Sequence, residues 1–199
     1  RQLFTLGDVG QYKAEVVGKR LNMALGMDIA WITEPVDAKR HFEPYGSLVI
    51  SCVDNHLARR ELSRVQGLSL SCGNHAQAGQ VCVGNCLDRE MMLRHLDGRD
   101  GKYAYLPHES LLFPQLLEPE PDAEPQSETL SCAELTLLGD QSVVVNDWMA
   151  CVVGQYVYAL LHRQPITSFL SFVQCAGMPS VRSLPICREE LTAYLDVLH

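Results

Sequence analysis

The stretch Ser47-Leu48-Val49-Ile50-Ser51-Cys52-Val53-Asp54-Asn55 decides how this chain reads. A short unbroken apolar run rich in branched side chains is the pattern of a strand covered on both faces, as in parallel sheets. The residues after it, 55–65, carry Arg59, Arg60 and Arg64 on a helical pattern, and strand-like runs follow at 68–71 and 80–83. Strand, helix and strand at these lengths predict an α/β fold with a doubly wound, Rossmann-like sheet. In such a sheet the residue just past a strand sits at its carboxyl end, where ligands bind. Asp54 holds that place. Its carboxylate suits Mg²⁺ on a nucleotide, and it equally suits an N-cap on the helix beginning near His56.

Upstream, Val16, Val17, Leu21, Ala24 and Leu25 recur at helical spacing within 12–25, and Gly26 fits a C-terminal stop. Residues 28–33 alternate as a strand would. Lys13, at the start of this helix, is a candidate phosphate cation, as is Arg1. The competing readings are a solvated helix lysine and a disordered terminus. Nucleotidyl transfer needs charge neutralised and groups positioned, so cations plus a metal-binding carboxylate meet its main requirements.

Downstream, residues 107–130 hold Pro107, Pro114, Pro119, Pro121 and Pro125 and predict a long, mostly extended acidic crossover. Residues 143–161 are strongly apolar, but Asn146, Asp147 and Gln155 interrupt them. A buried or subunit-interface helix is therefore expected rather than a membrane span. Strands at 167–174 and 180–186 and an amphipathic helix at 189–198 complete the pattern. No G-x-G-x-x-G turn follows a strand, which argues against an NAD-dependent oxidoreductase. The glycine cluster at 73–84 is expected to lie between strands.

The 199 residues are 47% hydrophobic, which suits one globular domain over 1–199 and excludes a disordered chain. The net charge of −8 has no cationic face to offer nucleic acid. That charge is concentrated. The 60 residues 103–162 contain no Lys or Arg and nine acids, of which Glu109 and Glu118 come first.

Eight cysteines are present, and Cys52, Cys82 and Cys151 lie in apolar runs where they read as small buried hydrophobes. No CxxC pair occurs, so no structural zinc is expected. The chain lacks a secretory opening, which favours the reducing cytoplasm. It begins Arg1-Gln2-Leu3-Phe4 rather than with Met, as expected of a processed, cleaved or partly represented chain. Cys132 lies just past the crossover, where a helix start could lower its pKa and Glu134 would oppose that shift. The competing reading is an inert loop cysteine.

Several of these residues fall into a family order. Arg1-Gln2 with Asp8-Val9-Gly10 and Lys13-Ala14 resembles the "R-Q … D-[VI]-G … K-A" block of the ThiF/MoeB adenylating enzymes, within the ubiquitin-activating enzyme superfamily. Asp54-Asn55 with Arg59 is similar to that family's "D-N-x-x-x-R" block, and Gly73-Asn74 with Gly79-Gln80-Val81 to its next turn and strand. Ser131-Cys132, then Val145-Asn146 and the apolar helix, resemble the ThiF-like proteins of PRTRC-type bacterial gene clusters. The resemblance covers about residues 1 to 186.

It implies adenylation, with MgATP, of the C-terminal carboxylate of a small ubiquitin-like or sulfur-carrier protein. Arg1, Gln2 and Lys13 would contact ATP, Asp54 and Asn55 the magnesium and phosphates, and Cys132 the activated acyl group. The family's usual state implies a homodimer. Two departures stand out. The family's N-terminal strand and glycine-rich turn precede "R-Q" and are missing here, as are the paired CxxC zinc ligands of many members. A chain without the glycine turn could instead be a non-catalytic subunit that docks a carrier or partner, with the acidic crossover as its docking element.

Overall fold

The computed structural model describes residues 4–42, 47–75, 77–96, 102–119 and 143–196. They divide into two compact units, 1–36 and 37–199.

In the N-terminal unit, helix α1 runs Lys13–Leu25 and stops at Gly26, whose φ of 62° is left-handed, as the glycine stop predicts. Residues 28–33 form no strand, contrary to the alternation of their sequence. They return along α1 and are fastened to it. The Asn22 side chain accepts from Ile29 N–H at 2.7 Å and donates to Ile29 O at 3.0 Å. Trp31 lies against Gly18, where a Cβ would meet its ring at 2.7 Å. The alternating side chains serve this packing on a helix, and the backbone bonds go to a side chain instead of a ladder.

The larger unit is an open five-stranded mixed sheet of order β1-β2-β3-β4-β5, an α/β arrangement. The strands are β1 Leu48–Ser51, β2 Leu68–His75, β3 Ala78–Gly84, β4 Ser168–Gln174 and β5 Ser180–Pro185. A single turn, α2 (Ala38–His41), precedes β1. Helix α3 (His56–Leu62) links β1 to its parallel neighbour β2, and every later pairing is antiparallel.

Among the described residues, parallel pairing between strands is thus confined to β1 and β2, which is narrower than a doubly wound sheet. The cluster at 73–84 does not separate strands either: Gly73, Gly79 and Gly84 lie within the β2–β3 hairpin. Close approach explains two of them. A Cβ on Gly84 would overlap the Pro107 carbonyl, and one on Gly79 the Met149 sulfur.

Helix α6 (Val143–Leu161) packs on one face of β2, β3 and β4, burying Val145, Met149, Tyr156 and Ala159. It is one helix long and apolar enough to cross a membrane by length and composition. Its other side leaves Val144, Trp148, Tyr158 and Leu161 exposed. The opposite face of the sheet carries α5 (Glu109–Leu112) and α7 (Arg188–Asp196), the latter through buried Leu191 and Leu195. α4 (Arg89–Arg94) buries Met92 in the same core. β1, at the sheet's edge, is covered on one face only. Val49 and Ser51 are buried, while Leu48 and Ile50 are 39% and 46% exposed, against the expectation of cover on both.

The expected extended crossover is compact where it is described. The segment before α5 is stapled to the end of β3. Asn85 N–H and Cys86 N–H both donate to Leu106 O, Asn85 Oδ1 accepts from Leu106 N–H, and His108 N–H donates to Cys86 O. α5 and a 3-10 turn, Pro114–Leu117, follow directly. His108 is the N-cap of α5, its Nδ1 accepting from Ser110 N–H at 3.1 Å. Burial pushes its pKa down to about 4.

A histidine held neutral in the fold and ordinary when unfolded binds more protons in the unfolded state between those two values. Stability should therefore fall as pH drops from about 6.5 to 4, by on the order of 3 kcal/mol for this group. His108→Asn keeps a cap acceptor and removes the titration. In urea denaturation across that range it should flatten the slope, and a slope equal to the wild type's would refute the assignment.

Candidate functional site

The loop Cys52-Val53-Asp54-Asn55 leaves the carboxyl end of β1 and enters α3. Asn55, not Asp54, caps the helix: its Oδ1 accepts from Ala58 N–H at 2.8 Å. Satisfying that orphan N–H fixes where α3 begins. Asp54 is exposed, and its carboxylate has no hydrogen-bond or ion-pair partner among the described residues. Of the two readings open for Asp54, the cap therefore belongs to its neighbour.

The loop is held from below by Arg59, one turn into α3. Its side chain is 7% exposed and pairs with the equally buried Glu109 of α5. Nη2 of Arg59 also donates to Val53 O at 2.7 Å and to Cys72 O at 3.2 Å. One guanidinium thus joins the β1–α3 loop, β2 and α5, using the fork of donors that lysine lacks. On the exposed side of α3, Arg60 pairs with Glu118 at 2.9 Å.

Against the expected set, Asp54 and Asn55 lie together on this loop. Lys13 is exposed at the first turn of α1, in the N-terminal unit. Arg1, Gln2 and Cys132 lie outside the described residues. Cys82 is buried as expected, but Cys52 and Cys151 are exposed, because β1 is an edge strand and Cys151 lies on the outer side of α6. Among the described residues no three His, Cys, Asp or Glu side chains gather as a metal site.

A cavity of about 310 Å³ lies elsewhere, between α6 and strands β4 and β5. Its polar lining includes Gln155, Gln164 and a hydroxyl chain in which Tyr156 meets Ser171 at 2.9 Å and Ser171 meets Ser183 at 2.8 Å. No charged residue lines it, so it lacks the means to hold a triphosphate.

The Arg59–Glu109 pair escapes a reading by local pattern. Arg59 was marked by its place in the "D-N-x-x-x-R" block; Glu109, 50 residues on, carries no local sign. No family model matches the chain, and neither does any curated protein.

The buried pair makes a direct prediction. Arg59→Met leaves Glu109 buried without its counter-charge and should cost about 3–5 kcal/mol in urea unfolding. Adding Glu109→Met to that variant should recover about half of the loss, since the carbonyls of Val53 and Cys72 still lack their donor. Strictly additive losses would show that the two side chains do not act as a pair.

Proposed function

We propose that this chain is a ThiF/MoeB-like adenylating enzyme, or the greater part of one. Its substrate is the C-terminal carboxylate of a small ubiquitin-like or sulfur-carrier protein, activated with ATP and magnesium. The observation that carries this reading is the free, exposed Asp54 carboxylate on a fastened loop at the carboxyl end of a parallel strand. A single such carboxylate fits Mg²⁺, which takes hard oxygen ligands, keeps several waters and completes its shell with phosphate oxygens. The ion supplies neutralisation of charge as pyrophosphate leaves.

Within this reading Asp54 orients the phosphates, Asn55 and Arg59 keep its loop in place, and Arg1, Gln2 and Lys13 meet the nucleotide. The Cys132 thiolate then attacks the acyl carbon, forming a thioester as AMP departs. The Rossmann-like refinement belongs to the same proposal. β1 has one unpaired edge among the described residues and the open pair Leu48 and Ile50, as expected where a parallel sheet continues beyond it. The outer stripe of α6, with Val144, Trp148, Tyr158 and Leu161 at helical spacing, supports a homodimer. The reaction is assigned to the cytoplasm, with no nucleic acid or membrane.

ATP–pyrophosphate exchange by the full-length protein, assayed with candidate carriers, tests the reading. The wild type should exchange only with its carrier, and Asp54→Ala should lower the rate about 100-fold. Because Asp54 bonds to no described residue, its thermal midpoint should not move. Absence of exchange with every cognate carrier, or full exchange by Asp54→Ala, would sink the reading. Calorimetric binding of the carrier without MgATP would then favour the non-catalytic docking subunit.

A further inference from the structure

We propose that Cys52 and Cys72 form a thiol–disulfide exchange site, closing reversibly to a disulfide at the carboxyl end of the parallel strand pair. The inference stands apart from adenylation. β1 and β2 pair in register up to Ser51 and Ser71, and continuing that register sets Cys52, the first residue past β1, opposite Cys72 of β2 on the same face. Adjacent strands run about 4.8 Å apart, inside the separation that a disulfide spans.

The two sulfurs differ in the way such chemistry requires. Cys52 is exposed, whereas Cys72 is 8% exposed beneath it. The neighbouring Cys52 and burial push the Cys72 thiol up, and Cys82 and Glu109 add to it. Cys52 is the accessible nucleophile, and Cys72 is the resolving thiol held against it.

With a small disulfide such as oxidised glutathione as the oxidant, the electrons balance. The Cys52 thiolate attacks one glutathione sulfur, the S–S bond breaks, and one glutathione thiolate leaves. Cys72 then gives its proton to that thiolate. Its sulfur attacks Cys52 Sγ and expels the second glutathione. The protein loses two electrons, and the oxidant becomes two thiols. The bond so formed ties β1 to β2 two residues before Asp54.

The test is to incubate the full-length protein with oxidised glutathione near pH 7.5, quench with acid, alkylate, digest and map by mass spectrometry. Trypsin places Cys52 as the only cysteine of residues 41–59, and fragmentation locates its partner within 65–89. The expected result is a Cys52–Cys72 link. Cys72→Ala should stop at the glutathione adduct on Cys52, and Cys52→Ala should leave Cys72 unmodified. Three results in the wild type, which needs no variant to fold, would each overturn the proposal: alkylation of both cysteines as before treatment, a lasting mixed disulfide on Cys52, or a link between other cysteines.

Discussion

One buried guanidinium fixes the geometry of the larger unit. Arg59 is carried by the helix that joins the parallel strands β1 and β2, yet its bonds run to β1's exit loop, to β2 and to α5. Burying such a charge costs several kcal/mol unless it is paired and fully bonded. Glu109 and two carbonyls meet that requirement together, and each lies on a different element. The requirement therefore works in reverse: any displacement of loop, strand or α5 strands a charge out of water. That coupling keeps Asp54 at a defined place although its own carboxylate has no hydrogen-bond or ion-pair partner among the described residues.

The position of Glu109 depends in turn on contacts with no charge at all. Asn85 binds the 104–106 backbone from both ends of its amide, and Gly84 lets the Pro107 carbonyl come close. His108 caps α5 only while neutral. The segment read as an extended crossover thus begins as a tight clamp. Its prolines are compatible with this, since Pro114 opens the 3-10 turn that continues it, where a missing N–H costs nothing.

What was legible in the sequence follows the range of the forces involved. α1 with its glycine stop, β1, α3, the two late strands and α6 are set by periodicity within a dozen or so residues, and the sequence marks them near their observed bounds. Asp54 at a strand's carboxyl end was legible for the same reason. Residues 28–33 were misread because alternation also suits a segment packed on one helix through Asn22 and Trp31. The glycines of the hairpin looked like a turn because their cause, close approach by Met149 and Pro107, lies far along the chain. Cys52 read as buried because composition cannot say which strand of a sheet is the edge. The exposure of Cys52 and the burial of Cys82, which pushes the Cys82 thiol up, differ by sheet position rather than by sequence context.

The same distinction changes what the acidic segment means. Of its nine acids, Glu109 and Glu118 are the counter-ions of Arg59 and Arg60, so part of the charge imbalance along the chain is cancelled in space. An acid paired at contact distance presents little field beyond the Debye length, about 8 Å at physiological salt. Under the proposed reading, long-range attraction for a basic partner must then draw on acids other than these two; among the described residues Asp147 sits exposed on α6. The described start of the segment is therefore a structural complement to the arginines of α3. The buried Arg59–Glu109 pair is shielded from ions and should hold as salt rises, whereas the exposed Arg60–Glu118 pair should weaken, because solvent and salt screen it.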